Sequence, residues 1–279
     1  MTFDTKRKFG VEVEFLSEYQ SQRQVVDLVN SYLTNHDADF RMEYAYYSDT
    51  SNAWRIKSDS SVSGNYSHGL ELVTPVLHGT RDYERLMLVL DAINNIDGIT
   101  VNRTCGLHVH VGVENWEVSN FKNLVKRYAK FEKALDSVMP NSRRRSNGSY
   151  CESNFSHSDS LKNIYKEIDK QKTIRKLTDT CGYSRYTKLN LQSFWKHGTV
   201  EFRHHSGTTN PDKISNWLKV CLAMCEAGDT KRVVKVDQDS NLQVNNYTLQ
   251  VFFNGLAKAS DLITTDLRLF YNRRARSVA

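Results

Sequence analysis

The chain has 279 residues, is 39% hydrophobic and 25% charged, and carries a formal net charge of +6. That length suits one large domain or two small ones, and the composition is that of a soluble globular protein. No apolar run is long enough to span a bilayer and Met1-Thr2-Phe3-Asp4 starts no signal-peptide pattern, so a cytoplasmic protein without a membrane partner is expected. Cys105, Cys151, Cys181, Cys221 and Cys225 form no C-x-x-C pair, which fits a reducing compartment. Basic runs at Arg143-Arg144-Arg145 and Arg273-Arg274-Ala275-Arg276 favour acidic partners. For the tail, a solvated surface is the plainer reading.

Residues 8–15 alternate strictly, with Val11, Val13 and Phe15 on one face and Glu12 and Glu14 on the other. Neighbouring carboxylates on one strand face repel unless solvated or bridged by a cation. A wet edge strand would look the same. Gln22 to Leu33 reads as a helix with Val25, Val26, Val29 and Leu33 on its stripe. Residues 38–69 read as short strands and loops, with β character at Trp54-Arg55-Ile56-Lys57 and a turn at Ser58-Asp59-Ser60-Ser61. Leu70-Glu71-Leu72-Val73-Thr74 is a strand ended by Pro75, with Glu71 a lone acid between two core leucines.

Arg81 to Ile96 follows as an amphipathic helix. Cys105 to Gly112 again has period two, with His108 and His110 opposite Leu107, Val109 and Val111. One strand histidine is usually structural; two at this spacing point to metal or phosphate. Ser119 caps a helix running to about Met139, with Phe121, Leu124, Val125, Tyr128 and Leu135 inward. Residues 141–158 are polar and basic. A charged helix is expected from Asp159 to Leu177, then a strand over Tyr183–Leu191. In Thr199–Thr208, Glu201, Arg203 and His205 share one face, and Val200, Phe202 and His204 the other. Asn210-Pro211 starts a helix with Ile214, Trp217, Leu218, Cys221, Leu222 and Cys225 inward, ending at Gly228. Residues 229–245 read as a linker and 247–270 as one final helix. The expected organisation is a catalytic domain over 1–228, with the linker and C-terminal helix of 229–279 packing on it.

Four strands therefore share one design, an aliphatic face and a polar face. The polar faces carry Glu12 and Glu14, Glu71, His108 and His110, and Glu201, Arg203 and His205. Carboxylates with one or two imidazoles favour Mg2+ or Mn2+ over a thiolate zinc site. Arg203, with Arg143–Arg145 and Arg185, adds phosphate-binding capacity. There is no G-x-x-x-x-G-K-[ST], no G-x-G-x-x-G and no kinase signature, so a nucleotide would be held by another architecture.

Five segments come in an order that resembles the amidoligase family. They are Phe9–Phe15, Asp59-Ser60-Ser61 with Gly69–Pro75, Cys105–Gly112, Arg185-Tyr186 with Asn190, and Thr199–Thr208. That family belongs to the carboxylate–amine ligase superfamily, related to glutamine synthetase and glutamate–cysteine ligase. The resemblance covers roughly residues 8–227, and its motifs are specific as a set. It implies an α+β fold, a curved and mainly antiparallel sheet with helices on its outer face, as in the glutamine synthetase catalytic fold. It implies ATP, Mg2+ (or Mn2+), and amide or isopeptide formation through an acyl phosphate. By position, Glu12, Glu14, Glu71, His110 and Glu201 resemble metal ligands. Arg203 resembles a phosphate or acyl-phosphate clamp. Glu71 and Asp59 join it as catalytic candidates, with Asp59 orienting or deprotonating the amine. Arg185, Tyr186, Asn190 and His205 resemble nucleotide contacts; His108, Arg143 and Arg144 resemble substrate contacts. The partners would be a carboxylate and an amine on a small molecule, peptide or protein.

Other readings compete. The His108-x-His110 pair could serve a metal-dependent hydrolase without ATP; the acid-rich strands and Arg203 argue against it. A binding protein that keeps the fold without catalysis would not need its acids intact. Nucleic-acid binding ranks last, because no basic aromatic platform is evident.

Overall fold

A computed structural model of the chain describes residues 3–46, 52–64, 67–144, 151–155, 160–182, 184–230 and 246–278, with 246 and 247 by backbone alone. Arg145 and the expected 229–245 linker beyond Thr230 lie outside those residues. The described part is α+β, with nine α-helices and an open, mostly antiparallel sheet. It divides into two compact units. Unit 1 comprises Met1–His110 and His205–Leu218; unit 2 comprises Val111–His204 and Lys219–Ala279.

Unit 1 contains β1 (Phe9–Ser17), α1 (Gln22–Asn35), β2 (Glu43–Tyr44), β3 (Arg55–Ser58), β4 (His68–Val73), α2 (Gly79–Asn94), β5 (Ile99–Thr100) and most of β6 (Gly106–Gly112). Its strand order is β2-β3-β4-β1-β6, with β5 paired to β1. β4 runs antiparallel to both β1 and β3, while β2 and β3 are parallel. The expected alternation of β1 is found, because Val11, Val13 and Phe15 are buried. Each such side chain contributes roughly 1.5–3 kcal/mol when fully buried. Helix α1 starts at a Ser21–Gln24 capping box and packs on α2. Its first residue ties it to the strands: Gln22 Nε2 donates to the carbonyls of Ala45 and Ile56, each at 2.7 Å.

Unit 2 contains α3 (Val118–Asp136), a 3-10 turn (Asn141–Arg143), α4 (Leu161–Lys170), α5 (Ile174–Cys181), β7 (Leu189–Asn190), α6 (Ser193–His197), most of β8 (Thr199–Ser206), the end of α7 (Pro211–Asp229), α8 (Asn246–Ala257) and α9 (Thr265–Ser277). β7 pairs antiparallel with β8. Helix α3 is the spine, touched by α4, α5 and α8. The α8 and α9 contacts are aromatic: Phe131 meets Phe252 at 5.1 Å and Phe253 meets Tyr271 at 5.3 Å between ring centroids. Gly198 ends α6 with φ of 65°, the left-handed conformation that turns the chain into β8.

Four local expectations are corrected. The helix expected over 159–177 is two helices, because the Thr173 hydroxyl accepts from the Lys176 N–H and caps a second start. The single helix expected over 247–270 is α8 and α9, separated where Thr264 caps the latter. Helix α3 begins two residues earlier than a Ser119 cap implies, with Glu117 as its N-cap; the Asn120 side chain accepts from the N–H of Glu117. Of the described part of the strand expected over 183–191, Leu189–Asn190 is strand and Thr187 makes an isolated bridge to Glu152. No helix among the described residues is long and apolar enough to cross a membrane.

Candidate functional site

In unit 1 the polar faces of three adjacent strands converge. Glu14 of β1 lies directly opposite Glu71 of β4, and Glu71 lies opposite Lys57 of β3. On β6, His108 is buried between the two β1 acids: its Nδ1 is 3.2 Å from Glu12 Oε2 and its Nε2 is 3.7 Å from Glu14 Oε1. His110 Nε2 is 3.5 Å from Glu12 Oε1. The second Glu14 oxygen accepts the Gly106 N–H at 2.5 Å. Donor atoms of Glu12, Glu71 and His108 all lie within 4.8 Å of one another, as do those of Glu14, Asp59 and Glu71.

Asp59 reaches this cluster through a tight turn. Its Oδ1 accepts from the N–H and the hydroxyl of Ser61, at 2.8 and 2.7 Å. Its own N–H donates to the Gly69 carbonyl at 2.9 Å. A Cβ at Gly69 would collide with the carbonyl oxygens of Val62 and Asp59. Glycine at 69 is what lets the turn lie against β4 beside Glu71.

The electrostatics follow from this crowding. Burial pushes the Glu71 carboxyl well above the usual range, and the charges of Glu12, Glu14 and Asp59 push the same way against Lys57. Burial also raises Glu12, but hydrogen bonds and charge from His108 and His110 outweigh it and hold Glu12 well below that range. Two acids pushed apart on one face are the pattern a bound divalent cation relieves. An oxygen-rich donor set with imidazole suits Mg2+ or Mn2+.

In unit 2, Glu201 of β8 sits opposite Asn190 of β7. It is buried, accepting Asn190 Nδ2 on Oε2 at 2.6 Å and Arg203 Nη1 on Oε1 at 2.5 Å. Arg143 is buried and hydrogen-bonds the Cys151 thiol, whose pKa burial raises against that pull. Arg144 binds the carbonyls of Met139, at 2.7 Å, and Val278. Arg185 is exposed and stacks 4.8 Å over the Tyr186 ring. His205, in unit 1, is buried; its Nδ1–H donates to the Ser206 carbonyl at 2.7 Å and its ring lies 5.5 Å from Trp217.

The sequence reading therefore brings Glu12, Glu14, Asp59, Glu71, His108 and His110 together in unit 1, and Asn190, Glu201 and Arg203 together in unit 2. It missed a buried ionic group behind β8. Lys188 Nζ lies 3.0 Å from Glu132 Oε1 and 2.7 Å from Asp136 Oδ1. His204 Nε2 is 2.7 Å from that same Asp136 oxygen, and its Nδ1 is 2.8 Å from the Tyr128 hydroxyl. A signal was available: Glu132 and Asp136 continue the stripe of inward-facing Tyr128 at intervals of four.

Residues 5–225 match the family described as "Putative amidoligase enzyme". No curated protein matches the chain. Among solved structures, a bifunctional glutathione synthetase from Pasteurella multocida is similar over 98% of this chain and 47% of its own, at 10% identity and a TM-score of 0.47. The complex between the prokaryotic ubiquitin-like protein Pup and its ligase PafA is similar over 98% of this chain and 63% of the matched one, at 10% identity and a TM-score of 0.41. The chain thus spans less than two thirds of the length of either matched chain.

Proposed function

Because the chain belongs to the amidoligase family, we propose that it joins a carboxylate to an amine in an ATP- and Mg2+-dependent reaction through an acyl phosphate. The observation that carries this reading is the Glu12, Glu14, Glu71, His108 and His110 cluster. Glu12, Glu14, Glu71 and His110 would hold Mg2+ in unit 1, and Glu201 would serve as a metal ligand within unit 2. The metal would screen charge on the transferring phosphoryl group.

The rest is done by the chain's own side chains. Arg203 binds the phosphoryl oxygens, with its guanidinium already oriented by Glu201. Asn190 steadies Glu201 from its other side and contacts the nucleotide together with Arg185 and Tyr186. An oxygen of the substrate carboxylate attacks the γ-phosphorus, and ADP leaves. The amine nitrogen then attacks the acyl carbon, Asp59 takes the ammonium proton, and phosphate leaves with the bonding pair. His108 orients the carboxylate. Arg143 and Arg144 are both engaged within the chain, Arg143 with the Cys151 thiol and Arg144 with two backbone carbonyls.

Calorimetric titration with ADP at varied Mg2+ tests the reading. Saturable binding that requires Mg2+ is expected. Absence of nucleotide binding at any Mg2+ concentration would sink it, and stabilisation by zinc alone would favour hydrolysis.

A further inference from the structure

Arg203 is held by its backbone as much as by its side chain. Its N–H donates to the Lys188 carbonyl at 2.8 Å, and its chain neighbour is His204. Both of those residues send their side chains to one oxygen. Lys188 Nζ and His204 Nε2 each lie 2.7 Å from Asp136 Oδ1. Both are fully buried, at 0% exposure. The carboxylate on the last turn of α3 therefore fixes the two segments that flank Arg203. Buried ion pairs are weak evidence for stability, since apolar residues of similar volume often do as well. A single acceptor shared by the two segments instead ties the residue just before β7 to β8 at one point, next to Arg203.

We propose that Asp136 is a positioning residue for Arg203, acting through Lys188 and His204. This rests on the proposed role of Arg203 as the phosphate clamp. Removing the Asp136 charge leaves Lys188 paired with Glu132, so the interior keeps its balance while the shared acceptor is weakened. His204 and Lys188 then lose their common anchor, and the Arg203 guanidinium loses its fixed aim at the site.

The test compares Asp136→Asn with Leu135→Ala, a buried α3 residue outside the ionic group. Guanidinium Nε–H resonances are recorded well below both unfolding midpoints. The Arg203 signal is assigned by its loss in Arg203→Lys. The Arg203 resonance should shift or broaden in Asp136→Asn and stay at its wild-type position in Leu135→Ala. An unmoved Arg203 signal in Asp136→Asn overturns the proposal. Titration with Mg–ADP reads the functional consequence: affinity should fall roughly tenfold in Asp136→Asn and hold in Leu135→Ala. Equal affinity in both would also overturn it. If wild-type protein binds no nucleotide, the ligase reading fails, and the Arg203 resonance alone decides the positioning role.

Discussion

Glu14 and Glu71 stand directly opposite each other across the β1–β4 pair. Two acids in that relation repel, and burial adds to the cost of ionising Glu71. A carboxyl raised in the folded state contributes stability that is complete below about pH 4.3, its unfolded value, and is lost as pH rises through the folded value. At neutral pH the metal-free protein therefore carries a penalty that a cation would remove. Glu71→Gln should raise the thermal midpoint of the metal-free protein, by about 1 kcal/mol of stability, and abolish most of the further rise on adding Mg2+. Paired melts with and without Mg2+ check both halves.

The interior behind β8 predicts the opposite slope in acid. Burial lowers the His204 pKa against the pull of Asp136, so His204 folds neutral. Its contribution is complete above about pH 6.5, the unfolded value, and is lost as pH falls below it, because only the unfolded chain takes up the proton freely. Burial raises Asp136, but His204 and Lys188 outweigh it and leave the carboxyl low. Asp136 thus adds loss only at lower pH, as it protonates below its unfolded value of about 3.9. With Glu71→Gln removing the opposing carboxyl, the thermal midpoint should drop between about pH 7 and pH 5, and adding His204→Gln should flatten that drop. An unchanged slope in the variant would show that other groups control it.

Gly69 links the Asp59 turn to the acids. Gly69→Ala places a methyl against two carbonyl oxygens and should cost about 2 kcal/mol of stability while displacing Asp59 from Glu71. Gly10→Ala, where a Cβ meets only ordinary contacts at 3.7 Å or more, serves as the comparison. Weaker Mg2+ binding in the first and not the second is expected by titration.

Glu201 receives both Asn190 and Arg203, so its loss leaves one buried and one half-buried donor without this acceptor. Glu201→Ala should abolish turnover, with a stability loss of about 1–3 kcal/mol. Glu201→Gln can still accept one of those bonds and should recover the fold without recovering activity. Circular dichroism melts alongside product assays separate the two effects.

The polar strand faces were legible because period two leaves no choice of side once the aliphatic residues are assigned to the core. That rule placed His204 inward, where it is fully buried, and kept Glu12 with Glu14 and His108 with His110. Helix breaks were less legible. The stop between α4 and α5 falls at Gln171–Thr173 without glycine or proline, and a hydroxyl cap says little against a continuing charged pattern. The Lys188 ion pairs were not legible, since their partners lie 52 and 56 residues away and only tertiary packing joins them. The hydrogen bonds of Arg144 to the Met139 and Val278 carbonyls were not legible either, since the basic run alone does not show which carbonyls lie beside it.

The central claim is that this chain activates a carboxylate by phosphorylation. The direct measurement incubates the protein with ATP, Mg2+, an amine panel and a panel of carboxylates labelled with 18O, followed by mass spectrometry of the phosphate released. One labelled oxygen should pass from carboxylate to phosphate, together with ADP and an amide product. Amide formation with unlabelled phosphate would contradict an acyl phosphate, and ATP-independent hydrolysis of the panel would contradict the ligase assignment itself.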